Sequence, residues 1–154
     1  MSTRGLAGIR LNNNDNLAYN HSDSYPEELG KNFVKDIKTM LVELGLDKIK
    51  ELAANLNSEP GNYEDFTSIP EILESGKIST HNNFIFDPLF CEWAYIMNLD
   101  DNLFEVYSGG NKIPSKENRY SSKAPQGYSA CALVKTFPLT EIPKDWIKQL
   151  KQKA

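Results

Sequence analysis

The chain has few of the residues that build metal centres and disulfide frameworks. It carries two cysteines, Cys91 and Cys131, and two histidines, His21 and His81. There is no C-x-x-C pair and no paired-histidine spacing, which argues against a structural zinc site. Neither a metal nor another cofactor is expected. No apolar run approaches the roughly 18 residues needed to cross a bilayer, and Met1-Ser2-Thr3-Arg4-Gly5 has no apolar signal-peptide core. Membrane association is therefore not expected, and the expected location is the cytoplasm. A positive excess is missing too: the formal net charge of −4 argues against an extended nucleic-acid surface. There is no internal repeat and no linker, so residues 1–154 are expected to form one domain, long enough to bury its own core. Both cysteines sit in apolar, strand-like runs. The plain reading is two buried free thiols in a reducing compartment; a disulfide or a nucleophilic thiol is the alternative.

The chain is rich instead in one polar block, Tyr19-Asn20-His21-Ser22-Asp23-Ser24-Tyr25-Pro26. It gathers an imidazole, a carboxylate, two hydroxyls, an amide and two phenols in eight residues. A core strand has no use for so many polar side chains; a site that grips a polar ligand does.

Elements are expected around this block as follows. Leu6 to Arg10 and Leu17 to His21 read as a β-hairpin across the polar run Asn12 to Asn16. Gly5 and Gly8 leave room for close backbone approach. A helix is expected from Pro26 or Glu27, with Phe33, Ile37, Met40, Leu41 and Leu44 on its apolar face, broken at Gly45. Leu46, Ile49, Leu52, Ala53 and Leu56 repeat the pattern. Asn57 to Ser68 reads as a loop, and Pro70 to Leu73 as a short helix stopped by Gly76. Phe84, Phe86 and Phe90 read as packing residues. Glu92 to Leu99 and Leu103 to Tyr107 form a second hairpin around Asp100-Asp101-Asn102. In the stretch Gly109 to Gly127, Lys112, Lys116, Arg119 and Lys123 read as solvated charge or as a lid over an anion. Tyr128 to Phe137 reads as a last strand, and Pro143 opens a closing helix with Trp146, Ile147 and Leu150 inward. The expected class is α+β: an antiparallel sheet of about five strands, two hairpins plus one, covered by helices.

Within the block, His21 and Asp23 would share a face of a strand, so Asp23 could orient the imidazole for proton transfer. Asp23 and Ser24 capping the following helix is the structural alternative. His81 reads as a surface residue. Arg4 and Arg10 are six positions apart and can share a face; Arg4, beside Gly5, can fork onto a phosphate or carboxylate. Ser2 is a second candidate. If Met1 is removed, the free α-amine could act as base for the Ser2 hydroxyl.

Two resemblances attach to these residues. Ser2-Thr3-Arg4, followed by strand, loop and strand, resembles the start of N-terminal-nucleophile hydrolases. It departs from them where Asn20-His21-Ser22-Asp23 stands in place of a segment with Arg and Asp. The resemblance covers about 25 residues and implies an amidohydrolase with Ser2 as nucleophile and His21 and Asp23 in support. The second is wider. Thr3-Arg4-Gly5, Gly8, the block Tyr19 to Pro26, Leu29-Gly30 and the hairpin from Trp93 to Tyr107 are similar to a family of small uncharacterised phage and bacterial proteins. That family has no activity to carry over. The resemblance implies an accessory protein of a phage or mobile element, with Thr3, Arg4, His21, Asp23, Ser24 and Tyr25 at one shared site; in a ligand-binding reading Tyr25 or Tyr19 could stack on a base or other ring. The expected partner is a small anionic, nucleotide-like ligand or a host protein, in a counter-defence role, and a homo-oligomer is expected.

Overall fold

A computed structural model describes residues 3–60, 65–109, 118–124 and 130–150. Strand β1 (Gly5–Leu11) turns into β2 (Asn14–Asn20). Two residues make the turn, Asn12 and Asn13, with φ of 55° and 62°. Left-handed angles at both central positions match the twist of a tight hairpin, and asparagine tolerates them. Asn14 and Asn16, expected in the loop, pair with Leu11 and Ile9 instead.

A wide helical turn over Pro26–Gly30 runs into α1 (Lys31–Glu43), and α2 (Leu46–Ala54) follows the break at Gly45. The stretch read as a loop begins with a strand, β3 (Asn57–Pro60), which pairs in parallel with β4 (Lys77–Thr80). Its polar composition hides it because β3 is mostly exposed. Between them, α3 (Ile69–Ser75) starts at Ser68, whose hydroxyl accepts the Glu71 amide, and ends at Gly76 in the left-handed region. A 3-10 turn over Asn82–Phe86 precedes the second hairpin, β5 (Trp93–Asn98) and β6 (Leu103–Ser108). Strand β7 (Ala132–Pro138) and the short helix α4 (Trp146–Leu150) close the chain. The part of the expected last strand around Tyr128 lies outside the described residues, as do Lys112 and Lys116.

The main sheet has five strands in the order β2-β1-β5-β6-β7. The fold is α+β as expected, and the sheet is antiparallel except where β1 meets β5 in parallel. Gly5 permits that contact: a Cβ there would lie 2.3 Å from the Trp93 carbonyl oxygen and 2.9 Å from the Ser24 side chain. One face carries Ala7, Ile9, Tyr95, Met97, Phe104 and Phe137 against α1 and Trp146. The Phe104 ring meets Trp146 edge-on at 5.2 Å and Phe33 at 5.9 Å. The other face carries Leu6, Leu17, Ala94, Ile96 and Tyr107 under Ile85 and Tyr120.

This second face holds charge as well as apolar groups. Arg10 meets Asp15 at 2.8 Å, and Arg119 meets Glu105 at 2.8 Å. The Tyr120 hydroxyl donates to Asp15 and the Tyr107 hydroxyl to Glu105. Arg119 is therefore not a solvated charge, one of the two readings of its stretch; its side chain is only 18% exposed. Among the described residues, no helix is long and apolar enough to cross a membrane.

Candidate functional site

The polar block is split between the two sides of the sheet. Strand β2 ends at Asn20, and Asp23 takes a left-handed φ of 58°. Strand alternation therefore stops before Asp23. The His21 ring does not bond Asp23; a 2.8 Å hydrogen bond joins its Nδ1 to the Tyr19 hydroxyl. The His21 amide donates to Asp65 at 2.9 Å.

Thr3 and Ser24 are buried and lock the chain together. The Ser24 amide donates to the Thr3 carbonyl at 3.2 Å, and the Ser24 hydroxyl accepts from Asn20 Nδ2 at 2.8 Å. The Ser24 carbonyl accepts from the Tyr95 hydroxyl at 2.7 Å. Neither Asp23 nor Ser24 caps the following helix with its side chain; Tyr25 stands at that position, and its backbone carbonyl accepts from the Glu28 and Gly30 amides. Tyr25 itself is 47% exposed. Ser2, the hydrolase nucleophile candidate, lies outside the described residues.

Arg4, Tyr19 and His21 belong to a different environment, built with residues from the turn before β5. The Arg4 guanidinium lies over the Phe90 ring at 4.6 Å and is 5.9 Å from Phe84. Tyr19 meets Phe84 edge-on at 5.4 Å and lies 5.9 Å from both His21 and His81. One surface thus collects Arg4, Tyr19, His21, His81, Phe84 and Phe90. The strand register explains half of it: Leu6 opposes Tyr19, so residues two places along each strand fall on the same face. The rest comes from the backbone of His81, whose amide donates to the Leu17 carbonyl at 2.7 Å and pins the following turn against β2.

Sequence reasoning missed His81 and did not foresee the exposure of Phe90. His81 was expected at the surface and instead packs half-buried beside Tyr19. Phe90 was expected to be a packing residue; it packs against the Arg4 guanidinium but stays 48% exposed, next to Leu89 at 72%. No local signal in the sequence distinguishes Phe90 from Phe84 or Phe86.

The three arginines of the chain separate clearly. Arg10 and Arg119 are held by Asp15 and Glu105. Among the described residues, no carboxylate pairs with Arg4. Its donors lie in the guanidinium plane while its face rests on Phe90, which leaves the fork open to a planar anion.

The far side of the block has the opposite electrostatics. A cleft of about 420 Å³ between β2, α3 and β4 is rimmed by Glu59, Asp65 and Glu71 with Lys77. A second, of about 280 Å³, is rimmed by Asp23, Glu28 and Asp36. Burial pushes the Asp36 carboxyl above its ordinary value and nearby Glu71 adds to this, with Lys35 opposing. Carboxylates at such spacing repel an anion. The block's residues therefore face two unlike surroundings: carboxylates on one side, and Arg4 among aromatic rings on the other.

Comparison with known proteins found no matching family model, no matching curated protein and no matching solved structure.

Proposed function

We propose that this protein is a binding protein that holds a small anionic, nucleotide-like ligand on the Arg4 face. The observation that carries this reading is Arg4 itself: a guanidinium stacked on Phe90 at 4.6 Å, without a carboxylate partner among the described residues. An arginine placed in that way costs the fold the order of a side chain and gains it no ion pair. Bound to an anion, it supplies a charge-assisted fork that a lysine could not. Tyr19 and the imidazole of His21 add hydrogen-bonding groups at its side, and Phe84, Phe90 and Tyr19 offer ring faces for a planar body. Thr3 and Ser24 act beneath the site by fixing the strand end. The biological setting is that of a phage or mobile-element accessory protein sequestering a host nucleotide.

Exposed Leu89 and Phe90 form an apolar patch beside an arginine, and Phe and Arg are enriched in protein interfaces, which favours a host protein as the second reading. The Ser2 hydrolase draws no support from the described residues.

Native mass spectrometry of untagged protein, purified gently from its own cell, tests the proposal. A small phosphorylated or carboxylated compound should accompany the wild-type protein and be lost from Arg4→Ala. A clean apo mass, with no adduct after adding adenosine monophosphate, would overturn it. A co-purifying protein lost from Arg4→Ala would establish the second reading instead.

A further inference from the structure

The two cysteines meet. Cys91 directly follows the exposed pair Leu89-Phe90, and Cys131 directly precedes β7. Both are fully buried and belong to one cluster with Leu6, Ile85 and Ala94. The Cys131 thiol donates to the Cys91 carbonyl at 3.4 Å, and the Cys91 thiol donates to the Trp93 carbonyl at 3.7 Å.

Forty positions of sequence separate them, and what brings them together is a close crossing at the end of β6. The Gly109 amide donates to the Glu92 carbonyl at 3.1 Å. A Cβ on Gly109 would lie 2.1 Å from the Cys91 carbonyl oxygen and 2.3 Å from that of Pro88. Only glycine lets the Pro88–Cys91 segment lie across the strand end toward Cys131. The Cys91 amide ties this segment back to the Asp87 carbonyl at 2.8 Å, and the Cys131 amide donates to the Ile85 carbonyl at 2.9 Å.

We propose that Cys91 and Cys131 are a redox couple, forming a reversible disulfide that locks the Leu89-Phe90 platform under Arg4 to the start of the last strand. The chemistry needs a low-molecular-weight disulfide as oxidant, such as oxidised glutathione. One protein thiol loses its proton and attacks the oxidant, forming a mixed disulfide and expelling one glutathione thiolate, which takes up the proton. The second protein thiol, deprotonated in turn, displaces the second glutathione. Two thiols are oxidised and one disulfide is reduced to two thiols. The neighbouring thiol and burial push the Cys91 thiol well above its ordinary pKa, so the closed protein reacts slowly and oxidation proceeds through opening of the Pro88–Cys91 segment. The link to ligand binding rests on the reading of the Arg4 face; the disulfide itself does not.

The full-length native protein, equilibrated in glutathione buffers without denaturant, quenched with acid and then alkylated unfolded, gives the test by intact mass. Oxidising buffer should produce a monomer two hydrogens lighter with no alkylated cysteine, and a peptide joining Cys91 to Cys131. Dithiothreitol should restore two alkylated thiols. Amide exchange at Phe90 and Cys131 should slow by at least about tenfold in the oxidised form, since the cross-link closes a long loop. Cys131→Ala should give a glutathione adduct at Cys91 in place of the internal bridge. The proposal is overturned if both thiols stay alkylatable at every buffer ratio, or if oxidation yields only glutathione adducts or linked dimers of the wild type. A disulfide that leaves adenosine monophosphate binding unchanged overturns the locking role alone. Absence of that binding in both redox states overturns the ligand reading and leaves the disulfide standing.

Discussion

The Tyr95 hydroxyl donates to the Ser24 carbonyl at 2.7 Å, tying a central strand to the turn that ends the polar block. Tyr95 is fully buried, and burial drives its hydroxyl far above the ordinary phenol value, so it stays a donor at every accessible pH. Tyr95→Phe keeps the ring and strands the Ser24 carbonyl. A loss of about 1–3 kcal/mol in urea denaturation is expected, the cost of a buried acceptor left unpaired.

Gly5 stands under the same turn. Its substitution by alanine places a Cβ 2.3 Å from the Trp93 carbonyl and 2.9 Å from Ser24. Both obstacles are anchored, one in β5 and one by the Thr3 and Tyr95 bonds. Gly5→Ala should cost about 3 kcal/mol by the same measurement, a severe case of overpacking.

The pair Arg119–Glu105 is the most exposed to single-site change. Arg119→Met leaves the Glu105 carboxylate buried beside Tyr107 and Asn98, and should cost about 3–5 kcal/mol. Arg119→Met combined with Glu105→Gln should recover part of that loss, because the uncompensated charge is gone. A double-mutant cycle in urea measures the coupling.

Asp100 predicts a pH dependence. Its carboxylate accepts the amides of Asn12 and Asn13 at 2.7 and 2.9 Å and so holds the β1–β2 turn. Slight burial acts to raise its pKa, but the two amides, with Arg10 and Arg119, outweigh it and leave the group below the ordinary carboxylate value. A folded pKa below the unfolded one, about 3.9, means stability that is present above that value and lost as pH falls through the folded pKa. The difference in urea midpoint between wild type and Asp100→Asn should be constant above about pH 5 and shrink below about pH 4.

Both hairpins were legible because apolar runs flank short polar turns, and β1, β5 and β6 are buried along nearly their whole length. The amphipathic period of α1 was equally plain, with Phe33, Val34, Ile37 and Met40 all buried. The parallel contact of β1 with β5 was not legible: nothing local tells a strand which distant neighbour it meets. Strand β3 escaped because Asn57-Ser58-Glu59-Pro60 has a loop's composition and little burial to impose alternation. At the site, Arg4, Tyr19 and His21 shared a face as strand parity requires. The separation of Asp23 from His21 turned on a single left-handed residue, which a reading by alternation carries straight through. Phe90 and His81 join the site only through a chain reversal more than sixty residues away from Tyr19.

Calorimetric titration of adenosine monophosphate into wild type, Arg4→Lys and Arg4→Ala tests the central claim most directly. Saturable one-to-one binding by the wild type is expected, weakened about tenfold or more in Arg4→Ala, the loss of a charge-assisted fork. Arg4→Lys, which keeps the charge but not the planar stack on Phe90, should lie between the two. Equal heats for all three proteins, or binding by the wild type that Arg4→Ala leaves intact, would contradict the assignment of the Arg4 face as the anion site.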